Sequence, residues 1–163
     1  MKLLTLVRHA KSDWDNDFQD FDRPLNHRGM HDAPAMGQWM KQMLPPADLF
    51  LSSSALRAKT TALLIASACG FPEDNIVFTD SLYHCGVRDY LKILEIQPEN
   101  IQHIVVFSHN PGISTFSTYL CPRYPISFPT CGVVHLNIYA NSWSEITKNS
   151  GKIEQYCFPS MIK

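Results

Sequence analysis

The chain has 163 residues, 45% of them hydrophobic and 11% aromatic, which is one domain's length with ample material for a single core over residues 1–163. Fourteen basic residues against fifteen acidic ones leave a net charge of -1, which excludes a general electrostatic pull toward nucleic acid or an anionic membrane; any anion affinity has to be local. Five cysteines, at positions 69, 85, 121, 131 and 157, form no Cys-x-x-Cys pair and are odd in number, and the short apolar run before Arg8 falls far below a signal-peptide core or membrane span, so a cytoplasmic protein is expected.

Along the chain, apolar runs alternate with helical patterns. Residues 3–7 form the first predicted strand, which stops at Arg8-His9. A polar, aspartate-rich loop covers residues 10–25. Asn26 then reads as the N-cap of a helix with apolar positions at Met30, Ala33, Met36, Gly37, Met40 and Leu44, ended by Pro45-Pro46. Residues 48–51 form strand two, and 55–69 form helix two, with Gly70 and Pro72 as its stop. Strand three is 76–78. Residues 83–86 read as loop and 87–94 as a helix ended by Pro98. Strand four is 103–107 and runs into Ser108-His109-Asn110-Pro111-Gly112, after which 112–120 is helical. Beyond a proline-rich connection at 122–129, alternation in 133–139, 143–146 and 152–158 predicts an antiparallel meander. The fold class is α/β: a parallel core with an antiparallel C-terminal addition, hence a mixed, mostly parallel sheet.

Runs one and four each end at a histidine. If both are buried parallel strands, His9 and His109 share the carboxyl edge of one sheet, where open α/β folds place ligands. Helix two adds Arg57 in its first turn, beside a helix amino terminus. Arg8, His9, Arg57 and His109, with no carboxylate among them, describe a site for a small doubly charged anion, most simply a phosphoryl group. A neutral His9 can attack phosphorus if its other ring nitrogen is held by an acceptor such as a backbone carbonyl. Both arginines can clamp the phosphoryl oxygens, with His109 as a protonated donor and Ser12, Lys11 and Arg23 near the pocket mouth. Other chemistries lack their residues. His27 and His31 stand four apart but without the glutamate of a His-Glu-x-x-His zinc site, so no metal is expected, and no cysteine has an arginine six positions later, as a cysteine-based phosphatase requires.

These segments resemble the histidine phosphatase superfamily, also called phosphoglycerate-mutase-like. Leu6-Val7-Arg8-His9-Ala10-Lys11-Ser12 is similar to its Arg-His-Gly signature, with alanine where glycine is commonest. Residues 52–62 around Arg57 resemble its second arginine motif, and Ser108-His109-Asn110-Pro111-Gly112 its second histidine motif. Arg23-Pro24-Leu25, with the chain's shortness, looks most like the SixA-type phosphohistidine phosphatases. The resemblance implies the three-layer fold of that superfamily, His9 as phosphorylated nucleophile, and Arg8, Arg57 and His109 as phosphate ligands, with no cofactor. Larger members supply an acidic residue after the third strand. Here Leu82-Tyr83-His84-Cys85-Gly86 offers none, although His84 is a substitute donor and Asp13 or Asp89 could fold inward. An alkoxide leaves poorly without a proton donor, whereas a phosphohistidine ring protonated at its other nitrogen departs as neutral imidazole. The expectation is therefore a metal-independent phosphatase of protein phosphohistidine. The alternatives are a phosphatase of small phosphate esters or of phosphoserine and phosphothreonine, and a silent module that binds a phosphorylated partner.

Overall fold

Strand β1 (Lys2–Arg8) lies in the middle of a six-stranded sheet in this computed structural model, which describes all residues, Met1–Lys163. Its parallel neighbour β4 (His103–Ser108) is buried at every position, and the register runs from Leu3 opposite His103 to Arg8 opposite Ser108. Apart from Thr5, residues 3–7 of β1 and 104–107 of β4 are apolar throughout because each strand has a helical layer on either face. The parallel set continues with β2 (Leu49–Ser53) beside β4 and β3 (Ile76–Thr79) beside β2. On the other flank β5 (Val133–Ile138) pairs antiparallel with β1, and β6 (Gly151–Cys157) antiparallel with β5, giving the order β3-β2-β4-β1-β5-β6.

Alternate residues of the strands feed two cores. Leu4, Leu6, Ile104 and Val106 pack with Tyr90 and Leu94 of α3 (Val87–Glu95) and Phe116 of α4 (Gly112–Leu120). Val7, Val105 and Phe107 pack on the opposite face with Met36 of α1 (His27–Met43) and Ile65 of α2 (Leu56–Cys69). The helices that follow the adjacent strands β1 and β4 therefore leave on opposite faces. This opens a crevice at the carboxyl ends of those two strands.

Two sequence expectations need correction. Residues 143–146 are not a strand: Trp143–Glu145 form a 3-10 turn, with the Trp143 indole buried and its Nε1 donating to the Ile101 carbonyl at 2.8 Å. β6 already occupies the free edge of β5, so the C-terminal addition has two strands and not three. In α1, Asn26 does cap the helix, accepting from the Gly29 N–H at 2.9 Å, but Met30 points to solvent and Asp32 takes a place on the buried face.

Candidate active site

The sheet register brings the two histidine motifs level. His9 and His109 each follow directly on a paired residue, Arg8 and Ser108, and their ring centroids stand 5.2 Å apart. Two close approaches fix the loops around them. A Cβ on Gly112 would lie 2.2 Å from the Cys85 carbonyl oxygen, so only glycine lets α4 start against the 82–86 loop. A Cβ on Gly29 would lie equally close to the Lys11 carbonyl, so the first turn of α1 seats the chain just after His9.

His9 is buried, and its Nδ1 lies 2.8 Å from the Ala10 carbonyl oxygen, which places the hydrogen on Nδ1 and leaves Nε2 unprotonated. Arg57 Nε donates to that Nε2 at 3.3 Å. Burial holds His9 down to about 3, reinforced by the charges of Arg57 and Arg8 and opposed by the Ala10 carbonyl, so the ring is neutral at physiological pH. His109 is held to about 3 as well, by burial and then by Arg57, which corrects the expectation of a protonated donor. Its Nε2 lies 2.7 Å from Ser53 Oγ, which already accepts from the Ala55 N–H. His109 Nε2 is the one acceptor within reach of the Ser53 hydroxyl, whose hydrogen therefore goes there, and His109 keeps its own on Nδ1, a buried atom with no partner.

Arg8 Nη1 donates to the Phe128 carbonyl at 2.8 Å, and the same oxygen accepts from Asn110 Nδ2 at 3.0 Å. The proline-rich connection therefore anchors one guanidinium of the site. Ser12 is buried and accepts from Arg23 Nη1, and Arg23 Cζ lies over the Trp14 ring, 3.7 Å from its centroid. Arg8, His9, Ser12, Arg57 and His109, together with Lys11, Arg23, His84 and Thr130, surround a hollow of about 240 Å³. Every residue the sequence placed at the site is there. His27 and His31 are exposed on α1 and do not line this hollow.

One carboxylate also lines the hollow, contrary to expectation. Asp20 Oδ1 accepts from Arg23 Nη2 at 2.7 Å, and Oδ2 accepts from Arg57 Nη2 at 3.1 Å and from the Tyr83 hydroxyl at 2.5 Å. Its backbone oxygen accepts from Arg57 Nη1 at 2.6 Å. Partial burial raises the carboxyl, but the bonds from Tyr83 and Arg23 and the charge of Arg57 win and hold it far below the usual carboxylate range. Asp20 is therefore an anion, not a proton donor. The other carboxylates named from the sequence turn elsewhere: Asp13 accepts from the backbone of Asp15 and Asn16, and Asp89 caps its own helix through the Gly86 N–H.

Guanidiniums, an unspent imidazole N–H and an unprotonated imidazole nitrogen bonded only by Arg57, around one small hollow, form a receptacle for a tetrahedral oxyanion next to a nitrogen nucleophile. Comparison with known proteins agrees with this class. Residues 4–90 match the histidine phosphatase superfamily, branch 1. An uncharacterized chloroplastic protein of Arabidopsis thaliana is 32% identical over 91% of this chain and 72% of its own length. The phosphohistidine phosphatase SixA of Escherichia coli is 27% identical over 82% of this chain and 83% of its own. In fold, the chain superposes on the protein histidine phosphatase SixA complexed with tungstate with a TM-score of 0.84 at 22% identity, covering 99% of both chains. The chain belongs to the histidine phosphatase superfamily. It is a phosphatase, acting on a phosphate-bearing substrate.

Proposed function

We propose that this protein, working as one domain over residues 1–163, hydrolyses phosphohistidine on a protein through a phosphoryl group carried on His9. The observation that carries the proposal is the His9 ring itself, with Nδ1 tied to the Ala10 carbonyl and Nε2 unprotonated in a hollow lined by Arg8, Arg57 and His109. His9 Nε2 attacks phosphorus and the P–N bond to the substrate imidazole breaks, with Arg8, Arg57 and Ser12 around the phosphoryl oxygens and the His109 Nδ1–H donating to one of them. Water then attacks phosphorus, and phosphate leaves with His9 restored.

The leaving group supports this substrate class, because no carboxylic acid at the hollow keeps a proton and His84 is the one donor proposed in its place that lines it. Asp20, the one carboxylate lining the hollow, is held ionised by two arginines and has no proton to give to an alkoxide. A substrate imidazole protonated at its far nitrogen leaves without one. The similarity to E. coli SixA, a phosphohistidine phosphatase by name, supports the same class. The two guanidiniums supply the positive charge, so a chelator should leave the rate unchanged. All five thiols are free, as a reducing cytoplasm would keep them, and no helix is long and apolar enough to cross a membrane.

The test is a substrate comparison under identical conditions, in chelator, of a phosphohistidine protein, a phosphoserine peptide and a small alkyl phosphate. Phosphohistidine should be turned over at least a hundredfold faster in kcat/KM. Equal or faster hydrolysis of either ester would overturn the assignment.

A further inference from the structure

The hollow has an uneven rim. Residues 13–22 carry Asp13, Asp15, Asp17, Asp20 and Asp22 with no lysine or arginine, so a third of the chain's fifteen acidic residues fall in ten consecutive positions. Asp20 is paired with Arg23 and Arg57; the other four make no ion pair. The same stretch exposes three aromatic side chains, Trp14 at 70%, Phe18 at 44% and Phe21 at 36%. Trp14 rests on Arg23 and Phe21 meets Tyr83 edge-on, yet each ring leaves a third or more of its surface open near a polar cavity, apolar area that a bound segment can cover. Trp14 and Asp20 line the hollow, so this face begins where the phosphoryl group sits, and the unpartnered, buried Nδ1 of His109 marks that seat independently.

We infer that residues 13–22 select the substrate by its surroundings: the favoured phosphoryl group sits on a protein segment with lysine or arginine beside it and an apolar side chain to pack on Trp14 or the two phenylalanines. The inference rests on the protein-substrate reading above and adds the chemistry of the flanking residues. A small dianionic ester gains nothing from the rim and approaches past four carboxylates that no cation of the chain pairs. An acidic segment or a nucleic acid is repelled for the same reason. A basic segment pairs its cations with the aspartates while its phosphoryl group pairs with the arginines, so the two charge patterns interlock. Asp20 ties the rim to the site, since one carboxylate bridges Arg57, Arg23 and Tyr83.

The experiment uses the whole chain and the exposed triple variant Asp15→Asn/Asp17→Asn/Asp22→Asn. Substrates are phosphohistidine peptides flanked by lysines or by glutamates, the same pair built on phosphotyrosine, and free phosphohistidine. The unmodified protein should favour the lysine peptide over the glutamate peptide about tenfold in kcat/KM at low salt, the scale of three exposed ion pairs, with the preference shrinking in 0.5 M salt (roughly a 4 Å screening length). The triple variant should lose the preference while turning over free phosphohistidine within about twofold, which also reports that it folds. Equal rates on the two peptides, or a preference that survives in the triple variant, would sink the inference. If no phosphohistidine substrate is turned over but lysine-flanked phosphotyrosine is favoured, the rim selects as inferred and the phosphohistidine assignment is what fails.

Discussion

The protein contains two buried histidine pairs whose ring centroids are each 5.2 Å apart, and only one of them lies in the candidate active site. His103 and His135 flank Thr5 in the sheet: the Thr5 hydroxyl lies 2.8 Å from His103 Nε2 and 2.8 Å from His135 Nδ1, and His103 Nδ1 lies 3.1 Å from the Pro46 carbonyl. The hydroxyl donates to one ring and accepts from the other, which satisfies the pair with neutral rings. His9 and His109 are as buried and as neutral, yet His109 keeps an N–H unspent and His9 spends its lone pair only on a long 3.3 Å bond from Arg57, a guanidinium that an arriving phosphoryl group can claim. What separates a reactive pair from a structural one is neither burial nor pKa. It is unused or weakly used hydrogen-bonding capacity facing a cavity lined by guanidiniums.

The contrast breaks first at His9. His9→Ala should reduce turnover by several orders of magnitude and abolish the acid-labile phosphoenzyme seen after rapid quench with labelled substrate, whereas His135→Asn should leave kcat within a few-fold. Measurable turnover in the His9 variant with the phosphoenzyme intact would remove the nucleophile assignment. Next comes Arg57. Its Nε meets His9 and its two terminal nitrogens meet Asp20, so Arg57→Gln removes a transition-state donor and disturbs the nucleophile at once. The expected loss is about 10²–10³-fold in kcat, the scale of a deleted oxyanion donor.

The structural pair is sharpened by pH. Burial holds His135 down to about 4, while the unfolded ring titrates near 6.5. Between those values the unfolded state binds a proton that the folded state refuses, so this contribution is complete above about pH 6.5 and is lost as pH falls toward 4. His9 and His109, held to about 3, act in the same direction. Urea unfolding at several pH values should therefore show stability falling below pH 6.5. His135→Asn keeps an N–H for Thr5 and should flatten that fall by up to about 1.4 kcal/mol per pH unit. An unchanged slope would mean that His135 titrates normally in the folded protein.

Much of this was legible in the sequence because interior parallel strands have one appearance, a continuous apolar run, and two of them end at histidines. A strand over 143–146 fails because Trp143 and Ile146, the two apolar residues, stand three apart and not two, a spacing that a 3-10 turn puts on one side, and both are buried there. Asp20 lay in a loop read only as polar. Its i to i+3 spacing to Arg23 was a usable signal, but its reach to Arg57 depends on how residues 10–25 fold back, which no periodicity records. The anchor of Arg8 is a backbone carbonyl at position 128, and a carbonyl leaves no trace in the amino-acid code.

The smallest predicted effect probes that unread contact. The Tyr83 hydroxyl donates to Asp20 Oδ2 at 2.5 Å, while its ring meets His109 and Phe21 edge-on. Tyr83→Phe keeps the ring contacts and removes only the hydroxyl. Asp20 then retains both arginines but is less firmly placed between them, and Arg57 is held less firmly against His9. One hydrogen bond to a charged acceptor is worth about 1.5–3 kcal/mol, discounted here because Asp20 is partly exposed, so kcat/KM should fall about three- to tenfold with KM moving less than kcat. If the effect passes through Asp20, Tyr83→Phe made on top of Asp20→Asn should cost less than it does alone. Strict additivity in that double-mutant cycle would show that Tyr83 acts on the site through its ring and not through the carboxylate.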